Sequence, residues 1–385
     1  MVISSKRIVM NKRTLEAFRD EEYLAEREFS SQYMFCSSDM ESRSIQNILD
    51  LLSEKERQTF MNLHLGYTLP EGHPELRTEI ASLYENTKKD NILCFAGAEE
   101  AIYTAARVLL SAQDHAIGIT PCYQSLESVA KSICDVSTVE LEALNGEWHL
   151  DFEKISRALR PKTRMIFINF PHNPTGYIPP KDLFFKIMEF ARQHNLIVFS
   201  DEVYRGLDLN PQDRLPSASE VYENALSLGV MSKSFGFAGL RIGWLCSQNT
   251  QVLHKLGAYK HYLSICNSAP SEWLSTAILR KREQILSENR KLLQSNYSLL
   301  KDYFQRRSDL FQWISPKGGC IAYPKYLGRA KIYDVAEDLL KSKGVVILPD
   351  HIYGQTNQHF RVSFGRKNCA EALKHFSDFF EESPS

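Results

Sequence analysis

Leu-Ile-Val-Phe-Ser-Asp-Glu-Val-Tyr, residues 196–204, opens as an apolar, β-branched run and ends in Asp201, Glu202 and Tyr204. Upstream, Arg-Met-Ile-Phe-Ile-Asn-Phe-Pro-His-Asn-Pro-Thr-Gly at 164–176 has the same shape, an apolar run giving way to His172, Asn173 and a turn. Runs that are apolar throughout, rather than alternating, fit strands buried on both faces, the usual case in helix-covered parallel sheets. Polar residues at the carboxyl ends of such strands stand where open α/β sheets bind ligands.

Working outward, seven short runs of this kind lie near 92–95, 116–120, 136–141, 165–170, 196–200, 225–230 and 242–246. Helical periodicity separates most of them, at 99–110, 123–134, 181–194 and 217–222. This alternation predicts an α/β fold, a mostly parallel seven-stranded sheet covered by helices. Beyond residue 248 the texture changes. A helix is expected over 270–305, short strands near 311–314, 320–323, 345–348 and 360–364, and helices over 332–341 and 370–381. That set makes a smaller α+β unit.

The 385 residues suffice for two domains, each with its own core. With 46 basic and 47 acidic residues the net charge is −1, so no basic surface points to nucleic acid. No segment is apolar enough for a membrane span, and the N-terminus lacks the apolar stretch of a signal peptide. The eight cysteines are scattered without a C-x-x-C pair, which argues against a zinc site and for a reducing, cytoplasmic setting.

The chemistry concentrates in Val-Met-Ser-Lys-Ser-Phe-Gly-Phe-Ala-Gly-Leu-Arg-Ile-Gly-Trp, residues 230–244. Lys233 sits between two serines with Val230, Met231, Phe235, Phe237 and Leu240 around it, so its setting should be largely apolar. A lysine amine in such a setting is a nucleophile that can condense with an aldehyde to a Schiff base. Arg241 offers a planar fork that matches phosphate oxygens. Asp201, read alone, is equally a helix N-cap, and Asn173-Pro174-Thr175-Gly176 equally a turn.

Taken together, the motifs at 170–176, 200–204 and 230–244 resemble those of fold-type I pyridoxal-phosphate enzymes of the class I/II aminotransferase family, and the resemblance runs from about residue 35 to 370. It implies pyridoxal phosphate bound through Lys233, with Asp201 holding the proton of the ring nitrogen. Asn173 and Tyr204 match positions that hydrogen-bond the phenolic oxygen, and Tyr123 matches the aromatic that stacks on the ring. Gly97, Ala98 and Glu99 open a helix whose amides would meet the phosphate, aided by Ser232 and Arg241. Tyr67 matches the residue that reaches the phosphate of a neighbouring subunit, which implies a homodimer. Arg361, in His-Phe-Arg-Val-Ser-Phe-Gly, matches the grip on the substrate carboxylate, with Asn173 and Ser38 beside it. The family also builds its small domain from both chain ends, here 1–45 and 266–385 around a large domain of 46–265.

Two departures bear on the phosphate. Ala98 stands where relatives often carry a hydroxyl, and so does Val230, three residues before the lysine. The expected activity is transfer of an amino group between an amino acid and a 2-keto acid. The alternative is a lyase or cyclase on the same scaffold, acting by β-elimination or β-replacement. It rests on a likeness of Cys36-Ser37-Ser38-Asp39 and the lysine motif to the branch that includes capreomycidine synthase. A third possibility is a binding protein without catalysis, since a fold alone does not dictate activity.

Overall fold

A computed structural model describes residues 13–382. Residues 1–12, assigned above to the smaller domain and read for a leader, lie outside the described residues, as do 383–385. Strands β1 (Ile92–Phe95), β2 (His115–Thr120), β3 (Asp135–Glu140), β4 (Thr163–Asn169), β5 (Ile197–Asp201), β6 (Ala225–Val230) and β7 (Gly243–Cys246) form one sheet in the order β1-β7-β6-β5-β4-β2-β3. β7 pairs antiparallel with both β1 and β6, while the remaining pairings are parallel.

The apolar runs explain the layering. Successive residues of a strand face opposite sides, so Met165 and Phe167 of β4 enter one core and Ile166 and Ile168 enter the other. Helix Ala98–Leu109 covers the first side with Ala101, Ile102, Ala105 and Ala106. Helix Lys181–Gln193 covers the second with Phe184, Ile187, Met188 and Ala191. Full burial of each large side chain is worth about 1.5–3 kcal/mol, which is why the sheet interior tolerates few polar residues away from its carboxyl edge.

The stretch 270–305 is not one helix. Helices Ala269–Arg280 and Arg282–Arg306 meet at Lys281, whose backbone (φ −107°, ψ 15°) leaves the helical region. Leu274 and Ile278 pack with Trp244 and Met231, joined by Ile285 and Leu286 from the start of the second helix, whereas Leu293, Leu300 and Phe304 further along it pack with Phe311 and Phe360. The expected strand at 345–348 likewise divides. Val345–Val346 pairs in parallel with Tyr33–Met34, and Leu348–Pro349 pairs with Phe360–Ser363, which also pairs with Ile321–Ala322. These pairings bring residues 33–38 and Arg361 to the open edge of the large sheet.

Candidate active site

The carboxyl ends of β4, β5 and β6 supply the first set of groups. Registers Asn169↔Asp201 and Asp201↔Leu228 align those ends. Asn169 then acts as a local brace, its amide donating to the Asp201 carbonyl at 3.0 Å and its Oδ1 accepting from the Asn173 backbone amide at 2.7 Å. Asp201 is 4% exposed, and its Oδ1 accepts from the Val203 amide at 3.1 Å. Burial raises its pKa to about 7, opposed by the Val203 hydrogen bond and by Lys233. A buried carboxylate of this kind favours a cation placed beside it.

Lys233 lies in the turn after β6. Its apolar flanks Met231, Phe235 and Phe237 are buried, while Lys233 itself is only half-buried. Nζ donates to Ser38 Oγ at 2.7 Å, and the Ser234 hydroxyl ties the turn to the Val203 carbonyl at 2.9 Å. Tyr204, 1% exposed, donates its hydroxyl to the Ser38 carbonyl at 2.7 Å. One residue thus fixes both the lysine and the tyrosine.

Arg361 is 1% exposed, unusual for an arginine, and its Nε donates to the Cys36 carbonyl at 3.0 Å. Nη1 donates to the Tyr353 hydroxyl at 2.7 Å and to Asn173 Oδ1 at 3.3 Å, and Tyr353 also donates to Asn173 Oδ1 at 3.2 Å. Asp20 Oδ2 stands 3.7 Å from the same Nη1. Tyr353 and Asp20 escape sequence reading. They lie 8 and 341 residues from Arg361, in segments without a motif, and only the fold brings them together.

The third group lies at the start of helix Ala98–Leu109. Gly97 has φ +96° and no side-chain cap at the helix start, so the first amides stay open. A Cβ on Gly97 would stand 2.5 Å from Arg241 Nη2, so the guanidinium lies directly over this turn. Ser232 Oγ is buried without a hydrogen-bond partner. An orphaned hydroxyl, open helix amides and an adjoining arginine make a donor set that fits a phosphate. With Asp201 and Lys233 they fit pyridoxal phosphate as a whole. The Glu99 side chain turns instead to the Ser125 hydroxyl, leaving its backbone amide as the group available to an anion. Tyr123 packs its ring on Phe18 at 5.4 Å between centroids.

Not every expected residue joins this cleft. Tyr67 is 90% exposed at the surface of the chain. His172 is 1% exposed with Nδ1 2.8 Å from Thr175 Oγ1, and burial drives its pKa down to about 3, which keeps it neutral.

Comparison with known proteins places this geometry. The profile of the family described as Aminotransferase class I and II matches residues 32–376. Capreomycidine synthase of Streptomyces vinaceus is 24% identical over 349 residues, 89% of this chain and 88% of that protein. A probable aspartate aminotransferase of Methanocaldococcus jannaschii is 24% identical over 329 residues, 82% of this chain and 85% of that protein. The crystal structure of a PLP-dependent aminotransferase from Streptococcus suis superposes with a TM-score of 0.91 at 27% identity, covering 97% of this chain and 99% of that one.

Proposed function

The chain belongs to the class I and II aminotransferase family with pyridoxal phosphate as its cofactor, and from that premise we propose that it moves an amino group between an amino acid and a 2-keto acid. When bound, the cofactor supplies an electron sink for the pair left as a bond at the substrate Cα breaks. Lys233 Nζ would carry the cofactor aldehyde and, once released, would take the proton from Cα and return it to the cofactor's aldehyde carbon, C4′. Asp201 would hold the proton on the ring nitrogen, and the phenolic oxygen would accept from Asn173 and from Tyr204 once the Tyr204 hydroxyl turns from the Ser38 carbonyl. Arg361 grips the substrate carboxylate and so fixes which Cα bond faces the lysine. Gly97, Ala98, Glu99, Ser232 and Arg241 hold the phosphate, with Tyr123 against the ring.

The observation that carries this reading is the bridge formed by residues 36–38. The Cys36 carbonyl accepts from Arg361, and the Ser38 hydroxyl and carbonyl accept from Lys233 and Tyr204. Substrate grip and catalytic amine are thereby set on one short segment.

Homodimerisation belongs to the same reading. Tyr67 (90% exposed), Leu65 (77%), Met61 (72%) and Tyr262 (88%) are large hydrophobic side chains left exposed, which supports a second copy, with Tyr67 reaching that copy's phosphate. So do a cytoplasmic setting, supported by eight unpaired cysteines, and the division into a large unit of 46–265 and a smaller one of 1–45 with 266–385. Among the described residues no helix is long and apolar enough to cross a membrane.

A second reading keeps the cofactor and ends in elimination, replacement or ring closure. The likeness to capreomycidine synthase across 89% of this chain favours it. One experiment separates the two: mix holoenzyme with single amino acids, without keto acid, and follow the cofactor absorbance. Aminotransfer converts the bound aldehyde to the amine. Elimination or cyclisation returns the aldehyde and releases a product lacking its β-substituent. If no amino acid yields the amine, the aminotransfer reading is wrong.

A further inference from the structure

Helix Arg19–Ala25 lays Asp20 and Glu21 against the cleft. The approach to the helix is pinned, with the Gln124 amide donating to the Ala17 carbonyl at 2.7 Å and the Arg19 amide donating back to Gln124 Oε1 at 2.9 Å. Asp20 is only 5% exposed, and its Oδ1 is buried with no hydrogen-bond partner. Its Oδ2 faces Arg361 Nη1 at 3.7 Å. Glu21 Oε1 lies 3.5 Å from the Tyr123 hydroxyl, on the same side of the cleft. The helix's one cation, Arg19, is engaged with Glu16 at 3.7 Å, and Arg27, just past the helix end, with Glu337 at 2.8 Å.

A charge count follows, resting on the cofactor and substrate placement proposed above. Arg241 answers the phosphate, Asp201 answers the ring nitrogen, and Arg361 answers the substrate α-carboxylate. Once that carboxylate occupies Arg361, Asp20 loses its nearest countercharge, and Glu21 has no cation from its own helix. A buried carboxylate without a partner is costly. That cost falls on Asp20, while Glu21 is exposed at the mouth of the cleft; a positive group carried in by the substrate removes the cost at Asp20 and meets a second carboxylate at Glu21.

We propose that Asp20 and Glu21 select a substrate amino acid whose side chain ends in a second cation, a guanidinium or an ammonium. A guanidinium has the reach and the number of donors to engage two carboxylates at once. Neither Asp20 nor Glu21 takes part in bond making; they set which side chain is accepted.

The test compares isosteric pairs on the holoenzyme: L-arginine against L-citrulline, and L-lysine against L-2-aminoheptanoic acid. Affinity is measured by calorimetry and kcat/KM by the cofactor absorbance. At least one cationic member should exceed its neutral isostere by at least about tenfold in affinity, and Glu21→Gln with Asp20→Asn should collapse that ratio towards one. Equal binding within both pairs overturns the inference, and so does a preference left intact by the double variant. The wild-type comparison requires no variant to fold. Charge preference in binding without amine formation would sink the aminotransfer reading and leave this one standing. Amine formation without charge preference would do the reverse.

Discussion

One wall of the cleft is formed by the carboxyl ends of β4, β5 and β6, the other by residues 17–38 together with Tyr353 and Arg361. The first is tied through neighbouring strands, with Asn169 bracing both Asp201 and Asn173. The second is tied by contacts between residues far apart in sequence, such as Arg361 to Cys36 and Lys233 to Ser38. On the proposed reading the sheet wall holds groups that act on the cofactor whatever the substrate, and the opposite wall holds groups that meet the substrate. The proposed reading thus sets chemistry on the hydrogen-bonded sheet, and selectivity on segments outside it.

Changes on the sheet wall should cost most. Lys233→Ala should lower kcat by about 10,000-fold, read as the rate of cofactor conversion in a single turnover, because it removes the group that carries the proton. A variant within tenfold of its parent would break the comparison. On the opposite wall, Arg361→Ala should raise KM for the amino acid by about 100-fold with a smaller change in kcat, the pattern of lost substrate grip. An equal fall in kcat would instead place Arg361 in the chemistry.

Asp201 sharpens the contrast through pH. Burial raises its pKa from the usual 3.8 to about 7. A folded-state pKa above the unfolded value contributes stability present below about pH 4 and lost as pH rises through 7. The cofactor-free protein should therefore lose stability across that window, and Asp201→Asn should lose less, by on the order of 2 kcal/mol in denaturant titrations. Adding cofactor should narrow the difference, since the ring cation answers the carboxylate. The smallest effect is expected at Gly97→Ala. A Cβ there meets Arg241 Nη2 at 2.5 Å on a backbone of φ +96°, and cofactor affinity should fall about tenfold in equilibrium dialysis. Unchanged affinity would remove Gly97 and Arg241 from the phosphate site.

The same contrast governs how much was legible in the sequence. The sheet wall could be read because each functional residue directly follows an apolar run, so strand and motif mark each other. All seven strands lie within a few residues of their expected places. Arg361 was singled out differently, by the likeness of His-Phe-Arg-Val-Ser-Phe-Gly to the family's motif, and it lies within the strand Phe360–Ser363. Asp20, Glu21 and Tyr353 were not. They sit in a short helix and a turn, and their roles depend on long-range packing that no local pattern encodes. The break at Lys281 was missed for a related reason, since helical periodicity shows that a stripe is buried but not that it changes partner midway.

The central claim is that Lys233 carries the cofactor. Reducing the holoenzyme with borohydride and mapping the fixed cofactor by peptide mass spectrometry tests it directly. The account predicts a single modified peptide with the mass increment on Lys233. An increment on another lysine, or none after complete reduction, would contradict it.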